Sequence, residues 1–136
     1  MSAESGKARP DVIVDGSNVA WEEQTGDGKP RVANLLAMAE ALAEHEMEAV
    51  SVVDASLRHQ VDDADELEEL IDAQRVRQAP ADTEADLFVL RLAEEFDALV
   101  VSNDTFDERT DEFPWVQQRR VPFMIVHGHV VLKMPG

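Results

Sequence analysis

Apolar residues fall along this chain in two patterns: short β-branched runs, and longer stretches that recur every three or four positions. Asp11–Asp15 (DVIVD) is a run of the first kind that stops at Gly-Ser-Asn, which predicts a strand entering a turn. Residues 24–30 (QTGDGKP) predict a loop. From Arg31 to His45, the positions Val32, Leu35, Leu36, Met38, Ala39 and Leu42 repeat at helical spacing. Residues 48–54 (EAVSVVD) predict a second strand. Residues 61–73 place Val61, Ala64, Leu67, Leu70 and Ile71 on one stripe with seven acids elsewhere, an amphipathic helix with a solvated face. Residues 75–79 (RVRQA) predict a short strand, and 84–96 a helix around Leu87, Phe88, Leu90, Leu92 and Phe96. Residues 98–102 (ALVVS) are almost continuously apolar, as in a strand buried on both faces. Residues 104–120 predict short helical pieces broken at Pro114. Phe123–Val126 and Val130–Leu132 flank His127-Gly128-His129 as a hairpin. The alternation of strands and helices predicts a parallel sheet covered on both faces, an α/β sandwich of three layers.

Composition bounds this picture. A chain of 136 residues with 44% hydrophobic side chains has the size and core of one domain, expected over residues 11–136 behind a flexible lead at residues 1–10. No apolar run approaches the ~18 residues of a membrane span, and MSAESGKARP has no apolar signal region. The absence of cysteine excludes disulfides, zinc-thiolate sites and a thiol nucleophile. These features predict a cytoplasmic protein with no membrane partner. The 29 acidic and 12 basic residues give a net charge of −17. Such a field repels phosphate and argues against nucleic-acid binding by the surface at large, but not against capture at one local site through a divalent cation.

That points to the acids themselves. Ligands of an open parallel sheet bind at the carboxyl ends of its strands. Asp15 ends the first strand and Asp104 follows the strand ALVVS. Asp86 lies in the first turn of the 84–96 helix, with Asp107 and Glu108 one helical turn beyond Asp104. If the first and fourth strands are neighbours, Asp15, Asp86 and Asp104 converge. Two carboxylates ~5 Å apart at an effective dielectric of ~20 repel by about 3 kcal/mol. A fold that gathers them therefore neutralises them, and oxygen-only ligands suit Mg²⁺ or Mn²⁺. Each acid also has a purely structural role open to it: an Asx-turn at Asp15-Gly16, a capping box from Thr83 to Asp86, a helix N-terminus from Asp104 to Asp107. No glycine-rich phosphate loop is present, and an aspartyl-phosphate hydrolase would need an acid where Ser17 stands. Trp21 is expected to pack and Trp115 to cover the core.

The segments DGSNVA (15–20), DLFVLRLA (86–93) and VVSND (100–104) resemble the NYN/PIN-like endoribonucleases, in particular the ribonuclease domain of the Regnase-type CCCH zinc-finger proteins. The resemblance runs from residue 11 through RRVPFMIVHGHVVLKMP. It implies a PIN-like Rossmannoid sandwich with a mostly parallel sheet and a C-terminal hairpin. It also implies an endonuclease dependent on Mg²⁺ (or Mn²⁺) that acts on single-stranded or loop RNA, and a homodimer. The family's catalytic, metal-centre acids carry over to Asp15, Asp86 and Asp104, and its motif asparagine to Asn18. Its last acid carries over to Glu108, with Asp107 a nearer carboxylate. Ser17, Asn18 and Arg58 are the candidate substrate contacts. Three departures stand out: Ala85 replaces an acid before Asp86, the short acidic APADTEAD replaces a long basic loop, and no CCCH finger can form. They leave a second reading, a catalytically idle PIN-like module that binds RNA or a partner protein.

Overall fold

The computed structural model describes residues 9–135. Most of the expected flexible lead lies outside the described residues. Five strands form one parallel sheet: β1 (Val12–Asp15), β2 (Ala49–Val53), β3 (Val76–Gln78), β4 (Leu99–Val101) and β5 (Arg120–Val121), in the order β3-β2-β1-β4-β5. β1 is central, and the chain reverses its direction of travel across the sheet between β1 and β4. In such folds that switch point opens a crevice at the carboxyl edge.

Alternation along each strand divides the core in two. Val12, Val14, Val53 and Val101 face α2 (Val32–Glu44) and α3 (Ala64–Asp72), packing on Leu35, Met38, Leu42, Leu67 and Leu70. Ile13, Val52 and Val100 face α4 (Ala85–Phe96) and α5 (Val116–Arg119), meeting Val89, Leu90, Ala93, Phe106, Phe113 and Val116. Fully burying each such side chain contributes roughly 1.5–3 kcal/mol, which holds the sheet in register. Trp115 covers this second core as expected, edge-on to Phe113 at 5.8 Å with the Arg119 guanidinium 4.5 Å above its ring.

The expected turn after β1 is instead a helix, α1 (Gly16–Glu22), which starts at once. Two devices fix it. A β-carbon at Gly16 would lie 2.7 Å from the Val52 carbonyl oxygen and 2.8 Å from a Val53 methyl, so glycine permits α1 to approach β2. At the other end, the buried Asn34 amide donates to the carbonyls of Val19, Ala20 and Glu23 at 3.2, 3.0 and 2.8 Å. These carbonyls lie at the helix end, where intrahelical partners run out, and the Arg31 amide adds a second bond to that of Ala20 at 2.9 Å.

The hairpin pairs β6 (Phe123–Val126) with β7 (His129–Leu132), so His129 belongs to a strand and the loop is His127-Gly128 alone. Their φ angles of 49° and 79° are those of a two-residue turn with a left-handed backbone. Phe123 and Ile125 face the core while Met124, Val126 and Val131 face outward. Glu23 accepts the His127 and Gly128 amides at 2.8 and 3.1 Å, docking the tip against the end of α1 and holding that carboxyl below its usual range. Trp21 does not pack as expected; it is exposed.

A candidate active site at the carboxyl edge of the sheet

Asp15 is the last residue of β1, on the α4 side by alternation with Ile13, and only 7% of its surface is exposed. Its Oδ2 accepts the Ser102 hydroxyl at 2.8 Å, and the same hydroxyl oxygen accepts the Asp104 amide at 3.0 Å. Ser102, itself fully buried, thus ties the ends of β1 and β4 together. Burial pushes the Asp15 carboxyl up to about 6, with the Asp104 and Asp86 carboxylates adding to the rise and the Ser102 hydroxyl and Asn18 amide opposing it. Ionised at neutral pH, Asp15 is a buried anion with no cationic partner among the described residues.

Asp104 is exposed, and its Oδ1 accepts the Phe106 amide at 2.8 Å, an Asx-turn. Phe106 has φ 55° although its ring is buried, a left-handed conformation rare for an aromatic residue. The chain then makes a 3₁₀ turn, Asp107–Arg109, that doubles back over the start of α4. There the Arg109 guanidinium grips Asp86: Nε to Oδ2 and Nη2 to Oδ1, both at 3.3 Å, with Glu84 3.1 Å from Nη2. The two carboxylates raise the guanidinium above its ordinary range, Asp86 the larger cause. Asp86 Oδ1 also accepts the Leu87 amide at 2.9 Å, so the Thr83–Asp86 capping box does not form. Asp86, Asp104, Asp107, Glu108 and Arg109 line one groove of about 230 Å³.

The candidate substrate residues are engaged by the fold. Ser17 Oγ accepts the Asp54 amide at 2.8 Å, and Asn18 Oδ1 accepts the Asn103 amide at 2.9 Å. Asn103 in turn exchanges hydrogen bonds with both backbone groups of Phe123, each at 2.9 Å, clipping the hairpin to the site. Arg58 is turned toward α3 and β3, pairing with Glu68 and Gln78, each at 3.1 Å. It makes no hydrogen bond or ion pair with the site carboxylates. Ser102, Asn103 and Arg109 carry much of the site's geometry and were not singled out in the sequence. Ser102 and Asn103 do lie inside the VVSND segment, whereas nothing local marks Arg109 as the partner of Asp86.

Among the described residues no three carboxylate or histidine side chains are drawn together closely enough to hold one ion. The donor chemistry still suits a hard cation. Asp15, buried without a counter-charge, and Asp104 beside it would supply the one or two carboxylates that Mg²⁺ takes together with water. No helix among the described residues is long and apolar enough to cross a membrane.

The model of the Zc3h12a-like ribonuclease NYN domain matches residues 8–134. The chain belongs to that family. The resemblance noted from the three motifs is therefore borne out, and with it the α/β sandwich with a parallel sheet and terminal hairpin. Two solved structures share this NYN fold. One, nuclear proteinaceous RNase P 2 (PRORP2) from A. thaliana, superposes with a TM-score of 0.76 at 22% identity over 94% of this chain and 30% of that chain. The other, Arabidopsis thaliana nuclear protein-only RNase P 2, gives 0.73 at 22% identity over 93% and 30%. The NYN chain thus spans about 30% of the length of either one. No curated protein matches it.

Proposed function

We propose that this NYN domain is a metal-dependent endoribonuclease that hydrolyses phosphodiester bonds in single-stranded or loop RNA. The observation that carries this reading is the meeting of Asp15 and Asp104 through Ser102 at the switch point between β1 and β4. Asp15 and Asp104 would hold Mg²⁺ or Mn²⁺, with Asp86, Asp107 and Glu108 around the groove. An ion bound there would supply polarisation of the phosphate and a lowered pKa for an attacking water.

The chain's own residues supply the rest. Ser102 and the Asn18 amide orient the Asp15 carboxylate. Asn18 ties α1 to the segment after β4 through the Asn103 amide, and Ser17 fixes α1 to the residue after β2. Arg58 serves as a rim contact for phosphate by exchanging its partner Glu68, at little cost for a pair this exposed. Products carry a 5′-phosphate and a 3′-hydroxyl. RNA is then the partner, and a homodimer the assembly to look for.

A fluorogenic single-stranded RNA should be cleaved with Mg²⁺ or Mn²⁺, poorly with Zn²⁺, and not with EDTA. Full cleavage in EDTA would overturn the metal mechanism. Arg109 on Asp86 and the alanine at position 85 favour the second reading, an idle module that binds RNA or a partner protein. RNA binding without cleavage in any of the three metals would select it.

A further inference from the structure

We infer that Arg109 is an internal counter-ion that withholds Asp86 from the divalent cation, leaving Asp15 and Asp104 as the carboxylates that bind it. This rests on the proposed metal dependence and concerns how the site partitions its charges.

The carboxylates at this edge differ in what neutralises them. Asp15 and Asp104 accept only neutral donors: the Ser102 hydroxyl and the Asn18 amide on Asp15, and the Phe106 amide on Asp104. Asp86 has both oxygens taken by a guanidinium and one of them by a backbone amide as well. A two-pronged grip of this kind is stronger and more directional than a single contact. A divalent ion reaching Asp86 would have to displace it or sit against its positive charge.

The fold places Arg109 deliberately. Phe106, buried and left-handed, turns the chain so that the 3₁₀ segment folds back onto the first turn of α4, and the Phe113 amide holds the Arg109 carbonyl at 2.8 Å. Arg109 also offsets the repulsion that Asp86 would otherwise exert on Asp15 and Asp104. The metal-free site is thereby kept compact, at the expense of one ligand.

Manganese affinity tests this without any turnover. Mn²⁺ alone would be titrated into the full chain, read by calorimetry and by the loss of the free-ion paramagnetic resonance signal. The variants are Arg109→Gln, Asp86→Asn and both together, with Arg91→Gln as the control for losing a positive charge elsewhere, since Arg91 pairs with Glu112 away from the groove. Arg109→Gln should tighten Mn²⁺ binding about fivefold more than Arg91→Gln does. In the wild type, Asp86→Asn should change it by less than about twofold, whereas in the Arg109→Gln background the same change should erase the gain. Arg109→Lys, which keeps the charge but not the fork, should fall between. Equal effects of Arg109→Gln and Arg91→Gln, or additive effects of Arg109→Gln and Asp86→Asn, would overturn the inference. Mn²⁺ binding that is absent from the wild type and all variants would remove the metal reading itself, a different result from intact binding that ignores Arg109.

Discussion

The Ser102 hydroxyl donates to Asp15 Oδ2 at 2.8 Å across 87 positions of sequence, and among the described residues it is the only side chain that steadies that carboxylate. Removing it in Ser102→Ala takes away an interaction that favours the ionised form. The Asp15 carboxyl should then titrate above its value of about 6, and the acid limb of the cleavage profile should move the same way. The Asp104 amide also loses its acceptor. Leaving this part-buried donor without its partner costs about 1 kcal/mol. Carboxyl NMR titration of the metal-free protein checks the first effect and urea unfolding the second. An unchanged Asp15 titration would show that Ser102 acts only as a strand tie.

Burial of Asp15 has a consequence for stability against pH. Its carboxyl titrates near 6 when folded, against an ordinary 3.8, so the folded chain holds that proton more tightly than the unfolded one. Metal-free protein should therefore gain stability as pH falls from 7 through 6 toward 4, by up to about 3 kcal/mol from this group. Asp15→Asn should lack that component and be the more stable of the two at pH 7. Urea midpoints at pH 5 and pH 7 in EDTA measure it. Parallel pH dependences for the two proteins would contradict it.

Asp104 separates charge from turn geometry. Its Oδ1 accepts the Phe106 amide, which an asparagine oxygen does equally well. Asp104→Asn should keep the fold and abolish metal-dependent cleavage. Asp104→Ala should lose the turn as well, with a further drop of about 1 kcal/mol in stability. Cleavage assays paired with thermal melts distinguish these, and residual wild-type activity in Asp104→Asn would remove it from the site.

Gly16 is constrained by space rather than by its backbone angle. The methyl of Gly16→Ala would press into the Val52 carbonyl and the Val53 side chain, forcing α1 off β2. Overpacking of this kind costs typically 1–3 kcal/mol, which a lowered urea midpoint would report. Because α1 carries Ser17 and Asn18, cleavage should fall too, with the larger effect on the turnover rate.

What could be read beforehand follows from where the stabilising contacts lie. β1, β2 and β4 were legible because burial on both faces demands β-branched residues, and α2, α3 and α4 because one stripe must be apolar. Asp15 and Asp104 were legible because the strands that carry them end where the apolar residues end. α1 was not: Gly16, Ser17 and Asn18 are weak helix formers, and Asn34 and the surface of β2 hold that helix from outside it. β5 is two residues long and hidden beside Pro122. The grip of Arg109 on Asp86 spans 23 positions and depends on the left-handed Phe106, which no local pattern announces.

The placement of β1 also sets an order in time. It is made before the other four strands of its sheet, yet it is the middle strand, and its partner β4 ends at Val101. Pairing of that kind depends on contacts distant in sequence and forms slowly. An emerging chain can dock β1 against β2 early, but until the 87 positions from Asp15 to Ser102 have been made Asp15 sits on an open edge with neither Ser102 nor Asp104 beside it. The carboxylate edge therefore forms only once β4 has been made, and a chain terminated before β4 would keep its first strands while lacking the site altogether.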